Sequence, residues 1–358
     1  MAQPAWPPSR CSCSTADVDT LPVVELHDLD YPLPPEAIAQ RPLDIRDASR
    51  LLVDRGPRQT PQDLHVHDLA TLVGPGDVVV VNSSRVVPAR LTAHKPTGGA
   101  VEVLLVEQLG DATWTAMVRP SRRVPVGTTL RAGRLSVVVG ETASDGRTRT
   151  VEVRAAAGVD VREVLAGEAE VALPPYITEP LADAGRYQTV YADRAGSVAA
   201  PTAGLHLTAE LLASIEHTGA EVCSVDLAVG LGTFLPVTAT RLDDHVMHHE
   251  RFSVSPEVLG ACEEADRVVA IGTTTVRALE SAVRDEHGER TDLFIRPGFD
   301  FRVVDALLTN FHQPRSTLLA LLAAFVGPRW RELYEHALGS DYRFLSFGDA
   351  MFVPTRDR

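Results

Sequence analysis

The sequence predicts an α/β protein with a mostly parallel sheet that carries an inserted antiparallel β-barrel domain. After residue 173, buried-looking strands alternate with helical stretches, which is typical of a parallel sheet covered by helices. Between residues 75 and 155, short strand-like segments instead follow one another between Gly, Pro and Asp turn signals, as in a small barrel. We therefore predict an α/β catalytic domain of residues 28–74 and 156–358, a barrel domain of residues 75–155 and a disordered leader of residues 1–27.

Periodicity and turn residues predict the elements in chain order. Residues 34–39 begin with prolines that favour a short helix, residues 51–53 are typical of a buried strand, and residues 65–72 have a helical pattern. The predicted barrel strands are residues 78–81, 101–106, 113–118, 134–139 and 150–153. The predicted later strands are residues 220–229, 268–271 and 303–309, and the predicted later helices are residues 209–217, 256–266, 275–284, 317–325 and 329–337.

The composition is that of a globular protein. The chain has 358 residues, of which 44% are hydrophobic and 23% charged. Its four cysteines, Cys11, Cys13, Cys223 and Cys262, form no disulfide or zinc pattern, which favours a reducing compartment. The longest apolar run, residues 318–326, is too short to span a bilayer, and residues 1–20 lack the order of a secretory signal. We expect a cytoplasmic protein without a membrane contact or an obligatory protein partner.

The charge is unevenly distributed along the chain. The formal net charge is −14, which counts against broad, nonspecific nucleic-acid binding. Between Arg85 and Arg134, however, eight Lys or Arg residues oppose three Asp or Glu residues. A solvated face of a β-rich domain and a polyanion-binding face remain equally good interpretations of this region.

The segment IGTTTVR, residues 271–277, follows a predicted strand and opens a predicted helix. Free backbone N–H groups at a helix start, together with the helix dipole, form an anion site. Gly272 allows close approach, and the three threonines add hydroxyl donors. A capped helix that binds nothing is the alternative, but the position at the carboxyl end of a strand favours a site for a carboxylate or a phosphate.

Two further segments contain histidines. His206 lies in APTAGLHLT, before a helix that Thr208 is expected to cap, and its ordinary pKa suits proton transfer near neutrality. A structural histidine is the alternative there. The segment DHVMHHE, residues 244–250, spaces histidines so that they would share a helical face, but no third metal ligand is marked. We therefore expect a polar pocket there and no metal.

Polar residues also follow the predicted strand of residues 303–309. In TNFHQPRSTL, Asn310 and His312 lie where α/β enzymes place ligand contacts, before a helix that Ser316 would cap. The aromatics, glycine and carboxylate of residues 342–350 are expected to be a pocket wall or a packed tail. No Walker loop, dinucleotide fingerprint, nucleophile elbow or kinase signature is present, which counts against those enzyme classes.

Taken together, the segments resemble one family along residues 31–353. The matching segments include VVNSSRVVPARL, VRPSRRVPVG, GSVAAPTAGLHLT, VGLGTFLPV, HVMHHERF, GTTTVRALES, VVDALLTNFHQPRSTLL and YRFLSFGDAMFV. In this order they are similar to the S-adenosylmethionine:tRNA ribosyltransferase-isomerases of queuosine biosynthesis. The resemblance implies an α/β domain with a β-barrel, in agreement with the layout predicted above.

The resemblance also implies a reaction. Such enzymes use S-adenosylmethionine as a ribosyl donor, without a metal or redox cofactor. The aminomethyl group of a 7-deazaguanine base in tRNA attacks the ribose, adenine and methionine leave, and the sugar rearranges to an epoxycyclopentanediol. The donor is already activated, so the protein must mainly position groups and move protons.

Roles for individual residues follow from the resemblance as hypotheses. His206 and His312 are the candidate acid and base, with Asp226 or Asp349 as the orienting carboxylate, and the threonine turn would hold the methionine carboxylate. RNA phosphates would meet Arg85, Arg90, Arg119, Arg122 and Arg123. The predicted substrate-binding residues are Thr202, Gly204, Gly230, Gly232, Thr233, His245, His248, Glu250, Gly272, Thr273, Thr274, Thr275, Arg277 and Asn310.

Two positions depart from the family pattern. Around VGLGTFLPV the family usually has His and Arg where this chain has Ala228 and Leu235. An enzyme with the same donor and a small acceptor is therefore one alternative, and a non-catalytic RNA-binding paralogue is another. A binding module would need the basic region and not the two histidines, whereas a small-acceptor enzyme would need the pocket and not the basic region.

Overall fold

The computed structural model describes residues 25–143, 146–230, 239–285 and 288–355. The strands are β1 (Arg50–Val53), β2 (Gln62–His65), β3 (Asp77–Asn82), β4 (Ser84–Val86), β5 (Arg90–His94), β6 (Ala100–Gln108), β7 (Thr113–Arg119), β8 (Thr129–Ala132), β9 (Leu135–Thr142), β10 (Arg149–Arg154), β11 (Arg194–Ser197), β12 (Glu221–Leu227), β13 (Glu250–Ser253), β14 (Arg267–Ile271), β15 (Arg290–Thr291), β16 (Ala306–Asn310) and β17 (Ala350–Val353). The α-helices are α1 (Val161–Glu168), α2 (Ala209–His217), α3 (Pro256–Glu264), α4 (Thr273–Ala282), α5 (Thr317–Val326) and α6 (Trp330–Gly339).

Within the described residues, nine strands form one large sheet in the order β15-β13-β12-β3-β14-β16-β17-β1-β2. Its centre, β12-β3-β14-β16, is parallel throughout, whereas β17 is antiparallel to β16. Every residue of β3 and of β16 is buried, as expected where helices cover both faces of a parallel sheet. The parallel centre places the carboxyl ends of four strands at one edge of the sheet.

Side-chain caps fix the starts of the helices that cover this sheet. Thr208, Ser255 and Ser316 each accept a hydrogen bond from the third helical amide of α2, α3 and α5. The helix α5 is apolar on all sides and is almost wholly buried, so it belongs to the core and not to the surface. The caps therefore set where each helix begins relative to the strand ends.

The second unit is a closed antiparallel barrel in the order β10-β7-β6-β5-β8-β9. Alternate residues point inward, including Leu91, Val103, Leu130 and Val137, and each of these is fully buried. An α/β fold that carries an antiparallel barrel is the predicted fold class, and it is confirmed.

The strand β3 lies in the large sheet, and not in the barrel domain that we expected to begin at residue 75. It pairs with β12 and β14, and the barrel strands run only from Arg90 to Arg154. A run of valines buried on both faces fits a parallel sheet centre better than a barrel wall, which has one side toward solvent.

Two other expectations concern residues 65–72 and the leader. The predicted short helix of residues 65–72 is present as the 3₁₀ helix Val66–Thr71, but its start is shifted because His65 ends β2. In the predicted leader, Leu26–Leu29 form a 3₁₀ helix, and the Leu26 amide donates to the Thr240 carbonyl at 2.9 Å; residues 1–24 lie outside the described residues. In the part of the chain that the structure describes, no helix combines the length and apolar character that a bilayer span needs.

Candidate active site

A cavity of about 350 Å³ opens at the carboxyl edge of the parallel strands. Asn82 ends β3, Gly272 follows β14 and Asn310 ends β16, and the strands are hydrogen-bonded neighbours. This edge is where open α/β sheets bind ligands. The cavity also has an apolar wall that includes Tyr176 and Phe294.

Asn82 joins three elements beside this cavity. Its Nδ2 donates to the Leu227 carbonyl at 3.0 Å and to Thr274 Oγ1 at 3.1 Å, and its Oδ1 accepts from the Leu227 amide at 3.0 Å. The ends of β3 and β12 are thereby fixed to the start of α4. Asn82 is not among the residues predicted from the sequence, although a polar residue directly after four apolar valines was a signal.

The start of α4 is the predicted anion site. Gly272 has φ +91°, a conformation that side chains rarely adopt, and it brings the chain from β14 into the helix. The amides of Thr273 and Thr274 donate no hydrogen bond to the described residues, and both residues line the cavity. The Thr275 hydroxyl instead donates to the Ile271 carbonyl at 2.7 Å, so Thr275 supports the turn and does not line the cavity.

Arg277, one turn into α4, makes a buried ion pair with Glu250 at the cavity wall. Its Nε donates to the Leu293 carbonyl at 3.1 Å, and Glu250 Oε1 accepts from the Gly230 amide at 2.9 Å. Arg277 is only 8% exposed, yet its Nη2 has no partner among the described residues. A buried guanidinium N–H without an acceptor costs free energy that an anionic ligand would recover.

Asn310 lies between the cavity and His206. Its Nδ2 is 2.9 Å from His206 Nε2, and His206 Nδ1 is 3.0 Å from Ser49 Oγ. Asn310 lines the cavity, but His206 does not. The predicted residue His206 is therefore placed one side chain behind the cavity wall.

His312, by contrast, lines the cavity. Its Nε2 is 2.9 Å from Thr309 Oγ1, and its backbone amide donates to the Tyr334 hydroxyl at 2.8 Å. No hydrogen bond joins its Nδ1 to the described residues. The ring is thus held from one side and can present its other nitrogen to a ligand.

Burial lowers the pKa of both histidines. The pKa of His206 falls to about 4 because the ring is desolvated, although the nearby Asp349 carboxylate opposes the shift. The pKa of His312 falls to about 3 through desolvation. Both rings are therefore neutral at pH 7, and a proton-transfer role for either ring stays a prediction.

The two candidate orienting carboxylates lie outside the cavity. Asp226 is buried, and its Oδ2 accepts a hydrogen bond from Arg251 Nη1 at 2.5 Å. Asp349 accepts from the backbone amides of Arg50 at 3.1 Å and Arg343 at 2.8 Å, so its carboxylate fixes the chain before β17. Among the described residues, no hydrogen bond joins either carboxylate to the ring of His206 or of His312.

The histidine segment of residues 244–250 is not helical. After the 3₁₀ helix Leu242–Asp244 the chain is extended into β13, so the expected common helical face is absent from these described residues. His248 lines the cavity, whereas His245 packs edge-on against Phe294. The one group of three potential metal ligands found among the described residues is His65, His67 and Asp68, away from the cavity wall.

The structure thus brings nine of the predicted residues to one cavity and leaves the others nearby or elsewhere. Gly204, Gly230 and His245 do not line it, and Gly232 and Thr233 lie outside the described residues. Gly204 packs so close to the Tyr191 hydroxyl that a side chain would clash. The nine that line it are Thr202, His248, Glu250, Gly272, Thr273, Thr274, Arg277, Asn310 and His312.

The five predicted RNA-binding arginines fall into two groups. Arg85 lies on β4, outside the barrel, and donates to the Ala192 carbonyl. Arg90 begins β5 and donates to the Leu173 carbonyl at 3.0 Å, which joins the barrel to the segment that follows α1. The others lie at one end of the barrel, where β7 and β5 finish and where Lys95 Nζ contacts the Arg123 carbonyl. We call this group the basic barrel end: Lys95, Arg119, Arg122, Arg123 and Arg131.

A cavity at the carboxyl edge of a parallel sheet, lined by a helix start and by buried polar atoms that have no partner among the described residues, is typical of an α/β enzyme for a small polar substrate. The family model described as queuosine biosynthesis protein matches residues 26–353, and the chain belongs to this family. The predicted family is thereby confirmed.

Relatives and a solved structure agree with this assignment. A protein from Rubrobacter xylanophilus is 51% identical over 91% of this chain and 96% of its own length, and one from Moorella thermoacetica is 45% identical over 92% and 100%. Both are named S-adenosylmethionine:tRNA ribosyltransferase-isomerase. The crystal structure of the S-adenosylmethionine tRNA ribosyltransferase from Thermotoga maritima has a TM-score of 0.51 and 35% identity, covering 91% of this chain and 99% of that one.

Proposed function

We propose that this chain transfers the ribosyl moiety of S-adenosylmethionine to the 7-aminomethyl-7-deazaguanine base of a tRNA and isomerises it, giving epoxyqueuosine-tRNA, adenine and methionine. The observation that carries the proposal is that one cavity is lined by Thr273, Thr274 and Arg277, whose first-turn amides and Nη2 have no hydrogen-bond partner among the described residues. Relatives that cover nearly the whole chain have names that state this donor and acceptor class. The proposed reaction takes place in the cytoplasm.

The cavity suits the proposed donor. Its volume of about 350 Å³ is within the range of small-molecule sites. The amides of Thr273 and Thr274 and the Arg277 guanidinium would hold the methionine carboxylate. Tyr176, Phe294 and the other apolar side chains would cover the adenine base.

The chemistry then rests mainly on position. The sulfonium already activates the ribose, so holding the donor and the acceptor amine in line supplies much of the rate. His312 lines the cavity and is the better placed of the two histidines to contact the reacting groups. The proposal needs no metal or redox cofactor, because S-adenosylmethionine is a substrate and not a methyl donor here.

A single assay separates the proposal from its two alternatives. Purified protein is mixed with S-adenosylmethionine and either tRNA carrying the aminomethyl-deazaguanine base or the free base, and adenine release is measured. We expect release that depends on the modified tRNA. Release with the free base alone would indicate a small-acceptor enzyme, and no release with either, from protein that binds tRNA, would indicate a binding module.

The basic barrel end is the proposed contact for the tRNA backbone. The formal net charge of the chain is −14, so the protein as a whole should repel the anionic RNA backbone. Arg122 and Arg123, by contrast, are exposed on a short 3₁₀ helix beside Arg119 and Lys95. Contacts to phosphates release counterions, so affinity falls as salt rises.

Neutralising this end should reduce the salt dependence of tRNA binding. We expect the double variant Arg122→Gln/Arg123→Gln to lower the slope of log affinity against log salt by about two. The matched control is Arg55→Gln/Arg58→Gln, because both arginines are exposed and lie between β1 and β2 of the large sheet, outside the barrel. If log affinity for tRNA has the same salt slope in both double variants, the basic barrel end does not contact the RNA.

A further inference from the structure

A chain of buried hydrogen bonds leads from the backbone of Arg46 to the wall of the cavity. Ser49 Oγ donates to the Arg46 carbonyl at 3.2 Å and is 3.0 Å from His206 Nδ1. His206 Nε2 is 2.9 Å from Asn310 Nδ2. Ser49, His206 and Asn310 are each at most 4% exposed, so bulk water does not compete for the hydrogen bonds between them.

The direction of every bond in this chain is fixed by its two carbonyl ends. Asn310 Nδ2 is also 3.4 Å from the Asp349 carbonyl, which can only accept, so the nitrogen and not the oxygen of the Asn310 amide lies on that side. His206 Nε2 must then be the acceptor, and Nδ1 must carry the proton. Ser49 accepts from Nδ1 and donates to the Arg46 carbonyl, which completes the chain.

This polarity determines what Asn310 offers to a ligand. Its Oδ1 is buried and has no partner among the described residues, and the residue lines the cavity. Leaving a buried acceptor unpaired costs roughly 1–3 kcal/mol. The ligand group that meets Asn310 must therefore be a hydrogen-bond donor, because an acceptor would face a second acceptor.

The position of Asn310 beside α4 indicates which donor this is. β14 and β16 are adjacent parallel strands, Ile271 pairs with Leu308, and the Gly272 amide donates to the Leu308 carbonyl at 2.7 Å. The helix start after β14 and the Asn310 side chain at the end of β16 are thus about one strand spacing apart, ~5 Å. In an α-amino acid the ammonium group is bonded to the carbon next to the carboxylate, so it fits this spacing.

We infer that Asn310 Oδ1 accepts a hydrogen bond from the α-ammonium group of the donor's methionine moiety, and that His206 and Ser49 are positioning residues that hold the Asn310 amide in this orientation. The inference rests on the proposed substrate, S-adenosylmethionine. The carboxylate lies at Thr273, Thr274 and Arg277, and the ammonium lies at Asn310, so the two sites together recognise an amino acid and not a simple acid.

The test compares two ligands by calorimetry: S-adenosylmethionine and its deamino analogue, in which hydrogen replaces the α-ammonium group. We expect the wild-type protein to bind the analogue about 10- to 100-fold more weakly. Asn310→Leu should reduce this ratio to about 3-fold or less, since the acceptor is gone. Asn310→Asp retains an oxygen acceptor and should keep or raise the ratio. Its second oxygen cannot donate, so in this variant His206 carries its proton on Nε2 and Ser49 donates to Nδ1.

Variants of the positioning residues separate orientation from stability. His206→Gln keeps one acceptor and one donor and should retain much of the ligand ratio, whereas His206→Leu should lower it toward that of Asn310→Leu. The matched control is His217→Leu, because His217 is an exposed histidine whose ring Nδ1 lies in hydrogen-bond contact with the Ala213 carbonyl of its own helix. Thermal melting of each variant confirms that it is folded.

Each outcome decides a different claim. Equal wild-type affinities for the two ligands would overturn the inference and leave the proposed substrate standing. If Asn310→Leu leaves the ratio of the two ligand affinities unchanged, the ammonium group does not bind at Asn310. No binding of S-adenosylmethionine to folded wild-type protein would overturn the proposed function and the inference with it. If Asn310→Leu does not fold, His206→Leu decides: a lower ligand ratio than wild type supports the inference, and an unchanged ratio in folded His206→Leu overturns it.

Discussion

Between pH 7 and pH 4.5, the free energy of unfolding should fall by ~5 kcal/mol because of His206 and His312 alone. In the folded protein burial lowers their pKa values to about 4 and about 3, whereas both titrate near 6.5 in the unfolded chain. Above pH 6.5 both states hold neutral rings, so the histidines do not affect stability there. As the pH falls below 6.5, the unfolded chain binds protons first, and stability is lost until the folded pKa values are reached.

Urea unfolding at a series of pH values measures this effect. Carboxylates also titrate in this range, so the informative quantity is the difference in slope between the wild-type protein and His206→Gln/His312→Gln. We expect the wild-type free energy of unfolding to change by ~2.4 kcal/mol more per pH unit between pH 5 and pH 6, since the unfolded chain binds nearly two more protons there. His217→Gln is the matched control and should keep the wild-type slope. Identical slopes for all three proteins would show that the two rings are not held neutral by burial.

The features that were predicted from the sequence are those that depend on local pattern. The start of α4 was predicted because a glycine and three threonines follow an apolar run, and the structure places two of those threonines at the cavity. Side-chain caps such as Ser316 were predicted for the same reason. Hydrogen-bond preferences at helix ends operate within a few residues, so one sequence contains them.

The features that were not predicted depend on partners distant in the chain. Four consecutive valines in β3 fit a barrel strand and a sheet centre equally well, and only the pairing with β12 and β14 decides between them. Likewise His206 was a good candidate by residue type, but Asn310, more than a hundred residues later, separates it from the cavity. From this position we expect His206 to support the residue in front of it and not to contact the reacting groups.

The largest effect on donor binding is expected at the buried pair of Arg277 and Glu250. Arg277→Met removes the guanidinium that faces the proposed carboxylate and leaves Glu250 as a buried charge without its cation. Breaking a buried ion pair by removing one partner costs about 3–5 kcal/mol of stability. A loss of donor binding in this variant alone would therefore be ambiguous, because a destabilised site also binds poorly.

The double variant Arg277→Met/Glu250→Gln separates the two effects. Glutamine removes the uncompensated charge and can still accept from the Gly230 amide, as Glu250 Oε1 does at 2.9 Å, so most of the lost stability should return. Affinity for S-adenosylmethionine should stay about 10- to 100-fold below wild type, since a hydrogen bond to a charged group is worth about 1.5–3 kcal/mol. Denaturant unfolding and calorimetry on the same samples measure both quantities. Recovery of affinity together with stability would mean that Arg277 acts only by pairing with Glu250, and the carboxylate would then depend on the α4 amides alone.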